Sequence, residues 1–186
     1  MKKQSAFTLV EMAMVLIIMG LIIGSSTKVF TSFSKNTKLQ ETKELLKQMS
    51  LDIEGFSKAF HRLPTEKEFN KFRMRTKDSW GKEVTYVTTK TITEKLCHLK
   101  STILEHIEDE KAIKNLAFIL VSSGPNRNMQ TLVDKDKQIS VQSAARSKKV
   151  DFDKDKINRV EPYDDIYLSR TLWSIQAPLV CVEGLK

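Results

Sequence analysis

Cysteine is scarce in this chain of 186 residues: there are two, Cys97 and Cys181, and no CxxC pair. A structural zinc ion takes four ligands from spaced Cys and His, and the adjacent Cys97 and His98 do not supply two of them. Histidine is scarce too, at three, and His98 and His106 stand too far apart for an i, i+4 metal pair. No GxSxG, Walker A, HExxH or GxGxxG occurs, so no catalytic signature points to an enzyme. Charge of one sign is not concentrated anywhere. The formal net charge is +8, but residues 1–60 carry +3, 61–133 carry +4, 134–165 carry 0 and 166–186 carry +1. No block reads as a nucleic-acid arm, and no groove of interleaved aromatic and basic residues is visible. Asp151, Asp153 and Asp155 alternate like the start of an EF-hand loop, but Lys156 stands where Gly is needed and Pro162 where Glu is needed, which excludes one.

What is present begins at the amino terminus. Lys2 and Lys3 precede a small residue, Ala6, and then an apolar run from Phe7 to Ile23 that holds one acid, Glu11. This run of 17 residues is near the short end of what spans a bilayer as a helix, and Val29 and Phe30 could lengthen it. A carboxylate at the centre of a membrane helix costs roughly 2.5–3.5 kcal/mol, so Glu11 needs a partner and a purpose. An ordinary signal anchor or signal peptide has no reason to carry it.

The residues Ala6-Phe7-Thr8-Leu9-Val10-Glu11, with lysines before and an apolar helix after, resemble the amino-terminal signature of type IV pilins and type II secretion pseudopilins. The resemblance implies that a prepilin peptidase cuts between Ala6 and Phe7 and methylates the new amine of Phe7. The family usually has Gly before the cut; Ala6 is a small residue in the same place. In the family, the acid at the position of Glu11 meets the amino terminus of a neighbouring subunit during assembly. A buried carboxylate needs a cation, and a freed α-amine at the same depth supplies one.

The lysines before the run are expected to stay cytoplasmic and the long remainder to be translocated. With the resemblance, this places the chain in the bacterial inner membrane as a single-pass protein with a periplasmic domain. An oxidising compartment then permits a disulfide between Cys97 and Cys181, against the alternative of two free thiols.

Leu46, Met49, Ile53, Phe56 and Phe60 recur at 3, 4, 3, 4 spacing and predict a helical seam packed on a domain, with Pro64 closing the helix. His61 to Thr65 reads as a turn, followed by a short helix. Asp78, Trp80, Gly81 and Tyr86 then look similar to the major-pseudopilin hairpin, with Ser79 in place of its usual proline. Asp and Gly bracket a turn, Trp80 packs as an apolar plug, and Val84 and Tyr86 alternate onto one face. Ile92, Leu96, Leu99, Ile103 and Ile107 predict a helix over 92–110. Leu116 to Val121 reads as a buried strand ending in the turn Ser122 to Asn126. Met129 to Val133 and Gln138 to Val141 are further candidate strands. Residues 134–165, dense in charge, predict a flexible loop, and Ile166 to Ile175 a last strand with Trp173 in the core.

The expected architecture is α+β: a leader over 1–6, a transmembrane assembly helix over 7–30, its amphipathic continuation over 31–60, and a pilin-like domain over 61–186 built on a small antiparallel sheet. Major secretion pseudopilins hold calcium between a Ser-x-Gly segment and an Asp-Ile pair. Ser122 to Gly124 and Asp165-Ile166 match those ends, which makes Asp164 and Asp165 candidate ligands, against the plainer reading of a capped turn. No other cofactor is expected. The function implied is a non-enzymatic subunit of a type II secretion pseudopilus. Its partners would be the prepilin peptidase, other pilin-like subunits and an inner-membrane assembly platform. One alternative is a subunit of a DNA-uptake or type IV pilus system, with DNA as a further partner. Another, from a different class, is a membrane-anchored periplasmic enzyme or binding domain, for which Glu11→Leu would leave function intact.

Overall fold

The computed structural model describes residues 8–71, 76–108, 111–134, 140–143, 149–150, 161–179 and 181. The chain divides into two compact units, Met1–Lys38 and Leu39–Lys186. Helix α1 is Leu9–Phe60 and contributes to both. It is followed by α2 (Glu66–Lys71), β1 (Thr85–Thr88), α3 (Lys90–Glu94), β2 (Glu105–Glu108), β3 (Lys111–Ile113) and β4 (Leu116–Ser122). Then come β5 (Leu132–Asp134), β6 (Ser140–Ser143), β7 (Lys149–Val150), β8 (Glu161–Pro162), β9 (Ile166–Thr171) and α4 (Leu172–Gln176).

In the first unit every residue from Leu9 to Ile23 is exposed. Among the described residues, no helix is long and apolar enough to cross a membrane. This corrects the expected transmembrane first half of the helix. It also corrects the single-pass inner-membrane placement, with its cytoplasmic amino terminus and periplasmic domain. The apolar stretch inside α1 is interrupted by Glu11 and stops at Gly24-Ser25-Ser26. The residues from Leu9 to Ile23 cover about 23 Å at 1.5 Å each, short of the roughly 30 Å of a hydrocarbon core.

In the second unit the seam of α1 is buried: Leu45, Leu46, Met49 and Ile53 pack with Phe69, Tyr86, Phe118 and Leu120. Phe56 is half-buried and Phe60 is exposed, so the seam ends before the helix does. Arg170 secures α1 to β9, its Nε donating to Ser50 Oγ and to Glu54 Oε1, both at 3.0 Å. The helix stops where His61 takes a left-handed φ of 54°. Arg62 then forms a fork with Glu68, which also accepts from Thr65 N at 2.8 Å and so closes a capping box on α2.

β4 is central in an antiparallel sheet of order β1-β4-β9 and is buried at all seven positions. Its two faces serve two cores. Phe118 and Leu120 join the core around α1, while Ile119 and Val121 join a second with Val87, Leu104 and Val141. A register shift between Leu116 and Phe118 puts Leu116 in the second core and Ala117 beside Phe118 in the first. The second sheet has the order β3-β2-β6-β5, and its β2–β6 pair is parallel. β7 and β8 pair by themselves. Segment 134–165, expected as a loop, therefore carries β6, β7 and β8, and Val141 is fully buried.

Two further elements differ from the sequence expectation. The helix over 92–110 is confined to α3. Lys95 is already extended, Leu96 N donates to His61 O at 3.2 Å, and His98 turns left-handed at φ 67°. Residues 105–108 take up ladder bonds to β3 and β6 that helical geometry would forgo. The last strand ends at Thr171, whose Oγ1 accepts from Ser174 N and caps α4. Leu172 and Ile175, three apart, form the buried face of α4, which leaves Trp173 77% exposed rather than in the core.

Candidate functional site

The start of α1 is built from Thr8 and Glu11. Thr8 N and Thr8 Oγ1 each donate to Glu11 Oε2 at 3.3 Å, and Glu11 N donates back to Thr8 Oγ1 at 3.4 Å. This is a capping box: the side chain three residues into the helix answers the backbone of the residue before it. Glu11 thus has a local partner that reading it as an isolated carboxylate missed, although the spacing Thr8-x-x-Glu11 signals the motif. The positive end of the helix dipole favours an acid there as well. Ala6 and Phe7, the expected processing pair, lie outside the described residues. Beyond the cap, α1 presents apolar side chains on all sides: Leu9 is 86% exposed and Leu21 70%.

The hairpin that follows α2 is organised by Asp78. Its Oδ1 accepts from Trp80 N and Lys82 N, both at 2.9 Å, while Gly81 supplies the left-handed φ of 82°. The turn rests on α1, Ser79 Oγ donating to Glu41 Oε2 at 3.0 Å and Ser79 N to Thr42 Oγ1 at 3.3 Å. Trp80 is half-buried against the main core.

Cys97 and Cys181 form a disulfide with Cα atoms 5.7 Å apart. Beside it, Gln176 Nε2 donates to Leu96 O at 2.8 Å and Leu99 O at 2.9 Å, so two links hold the segment after β9 to the chain after α3.

The turn after β4 meets Asp164 and Asp165. Asp165 Oδ2 accepts from Gln130 N at 2.8 Å and from Thr131 N and Oγ1 at 2.7 Å. Burial pushes its carboxyl up to about 6, against those hydrogen bonds, and the charge of Asp164 adds to the rise. Asp164 Oδ2 accepts from Asn126 N at 3.1 Å. Gly124 has φ +63°, and a Cβ there would collide with the Asp164 carbonyl oxygen. A calcium ion takes six to eight oxygen ligands; of the two Asp165 oxygens, Oδ2 already accepts from three protein donors, and Oδ1 is buried without a hydrogen-bond partner. Among the described residues no three His, Cys, Asp or Glu side chains gather to hold a metal. The hydrogen bonds from Asn126, Gln130 and Thr131 cap this turn.

The fold is thus α+β, with an amino-terminal helix and a small antiparallel sheet. Residues 1–27 match the family described as Prokaryotic N-terminal methylation motif. A prepilin-type methylation motif is therefore present, and it does not single out a subfamily. No curated protein and no solved structure matches the chain. The expectation of a type II secretion pseudopilus subunit assembled through a transmembrane helix is overturned, because no described helix can cross a membrane. The DNA-uptake and membrane-anchored alternatives rested on the same anchor and fall with it. The motif is consistent with a pilin-like subunit in general.

Proposed function

We propose that the chain is a pilin-like structural subunit without catalytic activity. The observation that carries this reading is the prepilin-type motif over 1–27 running into a helix segment, Leu9 to Ile23, whose apolar side chains are exposed on every side. A helix that is apolar all round is normally covered, and a large exposed apolar surface marks an interaction site. Other pilin-like subunits supply the cover by laying their own helices alongside. A prepilin peptidase frees and methylates the amine of Phe7, and Glu11 of one subunit answers the new amine of its neighbour.

The test is the intact mass of the chain made with and without a co-produced prepilin peptidase. With the enzyme, the expected chain begins at Phe7 and carries one added methyl group. A chain that still begins at Met1, or one cut near Thr27, would overturn the reading. Glu11→Leu adds a second arm: it should still be cleaved but should no longer yield cross-linked oligomers.

A further inference from the structure

The apolar run of α1 is exposed on every side, so the run by itself does not say which face meets a neighbour. Past Ile23 the helix continues unbroken, but its residues turn polar: Ser25, Ser26 and Thr27, then Thr31, Ser32, Ser34, Lys35 and Asn36. Apart from Val29, the apolar residues of this stretch are Phe30 and Phe33. They are 72% and 70% exposed. Standing three apart, they share one face of the helix. Thr37 follows on the next turn of that face, its hydroxyl proton already placed on Phe33 O at 3.1 Å. Lys35 stands on the other side, about 140° from Phe30 and about 160° from Phe33 at 3.6 residues per turn.

Burying two such rings is favourable, and exposed apolar surface of this kind marks a contact. Lipid is a poor cover, because polar residues and Lys35 share these turns and no described helix is long and apolar enough to cross a membrane. A short peptide is a poor cover too. A contact that runs on from Leu9 to Phe33 follows about 36 Å of helix axis at 1.5 Å per residue, and the partner must be as long. The α1 helix of a second copy, at 52 residues, is long enough. When two copies lie alongside on the Phe30–Phe33 face, their Lys35 side chains are on the far sides and the like charges stay apart. We propose that Phe30 and Phe33 mark the face of α1 that packs against α1 of a second copy of this chain. The inference rests on the pilin-like reading and deepens it, by naming the face and the helix that covers it.

The test places a photoreactive benzoylphenylalanine at position 30, 33 or 35 of the full chain, co-produced with a prepilin peptidase. Adducts formed on irradiation are mapped by mass spectrometry. Expected are adducts from positions 30 and 33 to residues 7–38 of a second copy, and none above background from position 35. The double variant Phe30→Ser, Phe33→Ser should be cleaved and methylated like the parent and keep its unfolding midpoint, since both side chains are exposed. Its cross-linked oligomers should fall by roughly tenfold or more, the loss expected when two phenylalanine contacts are removed. A chain that is not cut before Phe7 overturns the pilin-like reading itself. A chain that is cut overturns this inference alone if its adducts arise from position 35, if they lie on residues 39–186, on another protein or on lipid, or if none form. A double variant that oligomerises like the parent does the same.

Discussion

Asp78 and Ser122, 44 residues apart, share a buried hydrogen bond of 2.7 Å in which Ser122 Oγ donates to Asp78 Oδ2. The other carboxylate oxygen closes the Trp80 turn, so one side chain both shapes the hairpin and fastens it to the end of β4. Ser122 Oγ is itself the acceptor for Gly124 N at 3.2 Å, which begins the turn toward Asp164.

Ser122→Ala should therefore cost about 1–3 kcal/mol, the usual penalty for leaving a buried polar group without its partner. Urea unfolding of the variant beside the parent measures it. A loss near zero would mean that water replaces the serine.

The disulfide spans 84 residues of sequence. By the loop-entropy relation, removing it with Cys97→Ala and Cys181→Ala should lower stability by about 4–5 kcal/mol. Gln176 provides a second link at the same place, so helix α4 should persist in the folded double variant. Unfolding curves give the first quantity, and amide exchange at residues 172–176 gives the second.

Asp165 has a folded-state value raised to about 6 by burial. A raised carboxyl means that the folded chain holds the proton more tightly than the unfolded chain. The stability this contributes is full below the unfolded value of about 3.9 and is lost as pH rises through about 6. The size is up to about 3 kcal/mol, from two units at 1.36 kcal/mol each. Parent and Asp165→Asn should thus differ in how stability changes between pH 4 and pH 7. The parent loses this contribution with rising pH and the variant does not. Parallel slopes in urea unfolding across that range would contradict the assignment.

Added calcium should leave the melting temperature unchanged, because a ligand stabilises only the state that binds it. Thermal unfolding with calcium and with chelator is the measurement. A rise that Asp164→Asn or Asp165→Asn abolishes would restore calcium to the turn.

Much of the core was legible because it is encoded by neighbours. Leu46, Met49 and Ile53 mark their helix face by spacing alone, and the run from Leu116 to Val121 reads as a strand covered on both faces. The hairpin residues Asp78 and Gly81 announce their turn by chemistry. The capping boxes Thr8-x-x-Glu11 and Thr65-x-x-Glu68 are equally local and could have been read from spacing. At Thr8-x-x-Glu11 the apolar run that follows obscures the cap, because an acid in such a run also fits a membrane helix.

The motif at the amino terminus, the buried seam of α1, the central strand and the hairpin turn are all encoded locally. Each depends on contacts between residues a few positions apart, or on the character of one short run. The folded chain alone decided that residues 105–108 leave a helical pattern for the second sheet and that Trp173 faces solvent. It also decided that the Asp165 carboxylate accepts from Gln130 and Thr131. The pairing of β2 with β6 and the surroundings of the buried Asp165 carboxylate depend on partners more than 30 residues away. No local periodicity records which of those partners the closed chain brings together.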